Sequence, residues 1–194
     1  LDQIDRSNFA DLEQAWLWRG DNFGSSLDYF SRSTPIYVDG ILYTVATPRR
    51  QVVAIDPETG ENLWTFREPE TIRHQRSPRQ AYGKGVAYAD VNGRGVIYIT
   101  TPGFFLWALD AKTGRPLENW GTEFPVGQFP ETGVIDLIPK LVEDWGPWQD
   151  FVVAGGKYDP DYGIPRELGM VTASAPPIVV NGVVVVLVGH QPSY

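Results

Sequence analysis

The chain has 194 residues, 42% of them hydrophobic and 13% aromatic, with 20 Gly, 16 Pro and no Cys. Helices are disfavoured by that Gly and Pro content, whereas aromatic and β-branched side chains suit a pleated sheet, so the composition predicts an all-β protein with a real core and excludes disulfides, thiolate metal centres and a Cys nucleophile. A net charge of −8 argues against a general nucleic-acid partner, and the longest apolar stretch, 178–189, is shorter than the ~20 residues of a membrane-spanning helix and carries Asn181-Gly182 inside it.

In chain order, residues 1–32 read as the end of a preceding repeat and a linker, with Leu12 to Trp18 as an outer strand. A unit over 33–66 follows, with strands near 36–38, 41–47, 51–56 and 62–66. Its first hairpin turns at Asp39-Gly40, because a tight primed turn needs positive φ at both central residues. Ala54-Ile55-Asp56-Pro57-Glu58-Thr59-Gly60 closes the third strand, and Trp64 stands four residues later. The pattern AxDxxTG returns as Ala108-Leu109-Asp110-Ala111-Lys112-Thr113-Gly114, 54 residues on, and the hairpin turn returns as Asn92-Gly93, 53 residues on. Two agreeing periods predict a second unit over 85–120, with strands near 86–89, 95–101, 104–110 and 116–120 and Trp120 equivalent to Trp64. A third copy starts within 174–194, where Pro177 to Val180 turns at Asn181-Gly182. Four-stranded units of this length are the signature of a β-propeller, and a Trp at the end of AxDxxTGxxxW can lay its indole on the flat Gly of a neighbouring turn.

Two stretches interrupt the repeat. Residues 67–84 form an inter-blade connector, and from Thr71 to Ala89 the chain has no acid but carries Arg73, His74, Arg76, Arg79 and Lys84. Such a run either neutralises a multiply charged anion by charge-assisted hydrogen bonds or is a solvated loop. Residues 121–173 form a long insertion rich in Pro, Gly, Trp and Asp, with little regular sheet expected. Inner strands of a propeller line its channel, so the residues leading into them, 31–34, 80–84 and 172–175, are expected to gather at one mouth. Elsewhere the chemistry is sparse. His74 and His190 are the only histidines, and neither has metal-ligand spacing to a partner; Asp159 and Asp161 sit in turn sequence, Glu58 and Glu61 in an outer turn, and Ser174 lacks a triad partner in sequence reach.

The AxDxxTGxxxW unit, Thr34-Pro35-Ile36 with Val38 to Tyr43, Gly85-Val86-Ala87-Tyr88, and Ser174 to Val179 together resemble the pyrroloquinoline quinone (PQQ) dehydrogenases. These are quinoprotein alcohol and glucose dehydrogenases with an eight-bladed propeller. The resemblance covers most of the chain outside the 121–170 stretch and implies that these residues are about three blades of eight, a piece of a longer protein. It further implies a periplasmic or cell-envelope enzyme that oxidises an alcohol or sugar, holds PQQ at the channel mouth with calcium, and passes electrons to a quinone or cytochrome acceptor. PQQ is a tricarboxylate, which matches the basic run. Lys84 stands where family members carry a quinone-contacting Arg, Ala89 replaces an aromatic residue or His, Ser174 matches a cofactor-bonding Ser or Thr, and Gly189 falls near the next cofactor-facing turn. The cofactor-binding set implied is Arg79, Lys84, Ser174 and Gly189, with the catalytic base and the calcium ligands in later blades. The alternative is a non-catalytic propeller of the same repeat acting as an interaction scaffold in the cell envelope.

Overall fold

A computed structural model of the chain describes residues 3–23, 33–46, 50–70, 74, 85–121, 132–137, 170–172, 175–187 and 189–191. The first four-stranded sheet is an antiparallel meander, β1 (Ile36–Val38), β2 (Ile41–Ala46), β3 (Gln51–Ile55) and β4 (Asn62–Phe66), paired in sequence order. The second repeats it with β5 (Ala87–Val91), β6 (Arg94–Thr100), β7 (Phe105–Asp110) and β8 (Val134–Asp136). Two further pairs follow: β9 (Met170–Thr172) with β12 (Gly189–Gln191), and the hairpin β10 (Ile178–Val180) with β11 (Val183–Val185). All the ladders are antiparallel, and the three expected hairpin turns carry positive φ at Asp39-Gly40, Asn92-Gly93 and Asn181-Gly182. This is the expected all-β partial propeller.

The sheets stack face to face, which explains why β3 and β7 are apolar at nearly every position rather than at alternate ones. From the first sheet, Val53, Ile55 and Ala46 pack on Trp16, Trp18 and Phe23 of the N-terminal segment, while Tyr43, Val45, Val52 and Ala54 meet Ile97, Ile99, Phe105, Trp107 and Leu109 of the second. On its far face the second sheet sends Val96, Tyr98, Leu106 and Ala108 against Val179, Val184 and Val186 of the third hairpin. Each sheet therefore borrows its cover from its neighbours, as repeat architectures do.

AxDxxTG has a physical reason at each fixed position. Asp56 Oδ1 accepts the backbone N–H groups of Glu58 and Thr59 at 2.8 and 3.2 Å, and Asp110 Oδ1 accepts those of Lys112 and Thr113 at 3.1 and 2.9 Å. Gly60 and Gly114 close the turns by donating to the carbonyls of Asp56 and Asp110, both at 2.8 Å, with φ near +76° and +70°. A neighbouring indole lies flat on each glycine. A Cβ on Gly60 would come within 2.8 Å of the Trp16 ring, and one on Gly114 would run into Trp64. Trp16 Nε1 donates to the Pro57 carbonyl at 2.9 Å and Trp64 Nε1 to the Ala111 carbonyl at 3.0 Å, the same position of the turn in consecutive units. Tyr43 also donates to Ala111 O, at 3.0 Å. Asp110 is further held by Arg94 Nε at 2.8 Å; burial pushes its pKa up, but the bonds from Arg94 and Thr113 outweigh that and leave it below the usual carboxylate value.

Two elements differ from expectation. Residues 12–18, expected as an outer strand, form no strand, although Trp16 and Trp18 still pack on the first sheet. Residues 116–120 do not form the fourth strand of the second sheet; Pro116 makes only a bridge to Leu109 and Leu117 N–H bonds the Ala108 carbonyl before the chain leaves the sheet. The outer edge is completed by β8, which pairs with Phe105, Leu106 and Trp107. The fourth strand is thus split, and the stretch expected to lie outside the sheet supplies its second half. The two halves are tied at the break: Thr132 Oγ1 accepts from Asn119 N–H at 3.1 Å and donates to Leu117 O at 3.3 Å, Gly133 N–H donates to Trp120 O, and Gly121 lies so close to Val134 that a Cβ would meet its carbonyl. Trp120 still rests on Tyr98 (centroids 5.7 Å apart) much as Trp64 rests on Tyr43 (5.9 Å). The break moved the strand but kept the aromatic pair.

Two expectations follow for the full-length protein. Trp64→Ala removes a half-buried indole and its hydrogen bond from the joint between two sheets, and should lower unfolding free energy by about 3 kcal/mol in urea denaturation. Burial, reinforced by Tyr88, Asp39 and Asp110, pushes the Tyr43 phenol up to about 12 from 10.0. With the folded value raised, its stabilising contribution is complete below pH 10 and is lost as pH climbs from 10 towards 12. Tyr43→Phe should therefore flatten part of the alkaline fall in stability, read as denaturation midpoints at pH 9 and pH 11.

Candidate functional site

The meander topology sorts the loops to two ends. At the lower end lie the primed turns and the AxDxxTG turns. At the upper end lie the segments leading into β1 and β5, the turns β2–β3 and β6–β7, and the exit of β4. The lower end is structural in character: Tyr88 Oη donates to Asp39 Oδ2 at 3.3 Å, and burial followed by the Asp39 charge raises its pKa.

At the upper end three lead-ins converge. The position of a Cβ on Gly85, just before β5, lies 3.2 Å from the Thr34 carbonyl before β1 and 3.9 Å from Pro176 Cβ before β10. The segments leading into β1, β5 and β10 thus lie close together; of the residues expected to gather at one mouth, 31–32, 80–84 and 173–174 lie outside the described residues. Behind Thr34, Ser33 Oγ accepts the Val45 N–H at 3.1 Å and lies 3.2 Å from Thr44 Oγ1, which fixes the first lead-in to β2.

Of the sequence-derived set, Arg79, Lys84 and Ser174 lie outside the described residues. Their described chain neighbours Gly85, Ala175 and Pro176 belong to the converging lead-ins. Gly189 opens β12 and stands opposite Thr172 in the ladder with β9, so it lies beside the segment that leads to the third hairpin. Also outside the described residues are Asp159, Asp161 and the Arg73, Arg76 and Arg79 positions of the basic run.

A second feature of the upper end carries no simple sequence signal. Arg50, Glu68 and His74 are each 3% exposed. Arg50, at φ 51° in the β2–β3 turn, points its guanidinium at the Thr100 carbonyl, 3.5 Å from Nη1. Glu68, two residues past β4, accepts the Gly103 N–H at 2.9 Å through Oε1, and His74 Nε2 lies 3.9 Å from the same oxygen. Both acceptor and donor groups therefore cross from the first sheet to the β6–β7 turn of the second. His74 stands in the basic run read from the sequence, while Arg50 and Glu68 belong to none of the motifs found there.

Among the described residues this end buries one guanidinium, Arg50, and one carboxylate, Glu68, whose formal charges offset. For a metal ion the described residues offer less: no group of three His, Asp or Glu side chains among them could hold one.

Comparison with known proteins agrees with this geometry. The family model for the beta-propeller domain of PQQ glucose/ethanol/alcohol dehydrogenases matches residues 1–193. The quinohemoprotein alcohol dehydrogenase ADH IIB of Pseudomonas putida is 32% identical over 168 residues, 84% of this chain and 23% of that protein. The dehydrogenase subunit of the quinone alcohol dehydrogenase of Gluconacetobacter polyoxogenes is 36% identical over 148 residues, 74% of this chain and 18% of that protein. Among solved structures, the quinohemoprotein alcohol dehydrogenase ADHIIG of Pseudomonas putida HK5 matches with a TM-score of 0.50 at 26% identity, covering 84% of this chain and 17% of that one. The chain belongs to the PQQ dehydrogenase propeller family, and it spans less than a quarter of the length of these relatives.

Proposed function

We propose that these residues form one sector of the cofactor mouth of a PQQ-dependent dehydrogenase that oxidises an alcohol or sugar in the periplasm or cell envelope. The observation that carries this reading is the convergence of Thr34, Gly85 and Pro176, because an acid-free basic run leads directly into one of the three converging strands. The proposed domain order is the end of one blade (1–32), a blade over 33–66, a basic connector (67–84), a second blade from 85, an excursion within 121–173, and the start of a further blade at 174.

Bound there, PQQ would supply two-electron oxidising capacity toward an alcohol or sugar carbon, with a quinone or cytochrome as the proposed electron acceptor. The chain's own residues bind and orient. Arg79 and Lys84 supply positive charge to the cofactor carboxylates, Lys84 as a point charge where a guanidinium would form a two-pronged bond. Ser174 offers a hydroxyl, and Gly189 leaves room for close approach in the strand beside the third lead-in. Calcium would be held by residues of later blades, as would the base that takes the substrate proton.

The test is PQQ binding by the full-length protein in excess calcium. Lys84→Ala should weaken binding, and the loss should be larger at low ionic strength, since salt screens exposed charges beyond ~10 Å at 0.1 M. Equal affinity at every salt concentration would remove Lys84 from the site. A full-length protein that binds no PQQ but captures an envelope protein through the propeller would favour the scaffold reading.

A further inference from the structure

Three primed turns close the inner hairpins at the lower end, and they are chemically unequal. Asp39-Gly40, Asn92-Gly93 and Asn181-Gly182 are all exposed, with positive φ at both positions, and a Cβ on any of the three glycines would meet nothing within 4 Å. Two of the turns are held by side chains. Asp39 Oδ2 accepts the Tyr88 hydroxyl at 3.3 Å, and the Gly93 N–H donates to Asp90 Oδ1 at 2.8 Å. In the third turn the place of Asp90, three residues before the glycine, is taken by Val179, which offers no side-chain acceptor. Among the described residues neither the Asn181 side-chain amide nor the Gly182 N–H forms a hydrogen bond. The ladder behind this turn is also shorter: β10 and β11 pair at three positions in a two-stranded sheet, whereas β5 and β6 pair at five within a sheet of four. Elements with few supporting contacts open locally at the lowest cost in free energy.

We propose that Asn181 is a modification site, where the Gly182 nitrogen attacks the Asn181 side-chain amide and converts the residue to isoaspartate and aspartate. Hydroxide removes the Gly182 N–H proton, the nitrogen bonds to Asn181 Cγ, and the Cγ–Nδ2 bond breaks, Nδ2 leaving as ammonia with a proton from water. Water then opens the cyclic imide at one carbonyl to give isoaspartate or at the other to give aspartate. The sum is amide plus water to acid plus ammonia, with nothing oxidised or reduced. Glycine favours the attack because no side chain crowds its nitrogen and its backbone is the least restricted. The reaction needs a free N–H and a turn that can rearrange. Asn181 has both, while the N–H beside Asn92 is bonded to a carboxylate. Isoaspartate carries the chain through its side chain, which adds a backbone carbon to a two-residue loop, and loop length fixes hairpin register. The inner face of this hairpin, Val179, Val184 and Val186, covers Val96, Tyr98, Leu106 and Ala108 of the second sheet, so the modification loosens that cover.

The experiment incubates the folded, full-length wild-type protein in mildly alkaline heavy-oxygen water, which labels each opened imide, and follows both Asn-Gly turns by peptide mass spectrometry. Asn181 should convert about tenfold faster than Asn92, a barrier difference of ~1.4 kcal/mol, with isoaspartate among its products. The two rates should converge when the protein is unfolded in urea. Asp90→Ala should raise conversion at Asn92 several-fold and leave Asn181 unchanged. Asn181→Gly, which keeps a primed turn, should remove the fall in melting temperature that incubation brings to the wild type. Equal rates at the two turns of the folded wild type, or faster conversion at Asn92, would overturn the proposal, as would an Asn181 that stays intact while the unfolded protein reacts. Because the two turns are compared within one wild-type molecule, the decision does not depend on either variant folding.

Discussion

An indole lying on a glycine is the contact on which the remainder of this architecture rests. A four-stranded sheet of this kind is apolar on both faces, so it is stable only if each neighbour is set at a fixed distance and angle. Burial alone does not fix either, because the hydrophobic effect is non-directional. Direction comes from Trp16 on Gly60 with its Nε1 on Pro57 O, and from Trp64 on Gly114 with its Nε1 on Ala111 O. The flat ring sets the separation and the N–H sets the rotation. Nothing larger than hydrogen fits beneath the ring, and the positive φ of both glycines would strain a residue with a side chain.

That lower joint has consequences at the opposite end. Fixing the angle between consecutive sheets at their outer edges also fixes where their inner strands begin, so Gly85 meets Thr34 and Pro176 at the upper mouth. The two ends are chemically different. Below, the joints are made by aromatic donors to backbone carbonyls beside Asp-capped turns. Above, the same two sheets are joined by ionisable groups, Arg50 to Thr100 and Glu68 to Gly103. A rigid lower joint lets the upper end carry charge without deciding the fold.

The repeat was legible because its signals are local. Primed turns at Asp39-Gly40, Asn92-Gly93 and Asn181-Gly182 need particular φ values, and AxDxxTG needs an Asp cap, a Gly and an incoming ring, so sequence spacing and geometry carry the same information. The fourth strand of the second sheet was misplaced for the opposite reason. Residues 116–120 hold the right kind of side chains and Trp120 does reach its Tyr98 partner, but a sheet edge accepts any extended backbone, and the register of β8 is set by Thr132 and Gly133 far along the chain. No local period reports that.

The upper end was legible only in part. A run with no acid in a chain of net charge −8 stands out by composition, and the repeat predicts where the lead-ins meet. Glu68 is different: in sequence it sits between Arg67 and Glu70, in the kind of charged stretch that is normally solvated. Its burial follows from a tertiary event, the arrival of the β6–β7 turn with Gly103, whose missing side chain opens room for the carboxylate. A glycine in one repeat and an acid in the other become a pair only once the sheets are docked. Buried charges cost solvation free energy unless they are paired and hydrogen-bonded, and Glu68 meets that demand through the Gly103 N–H at 2.9 Å, with His74 Nε2 at 3.9 Å.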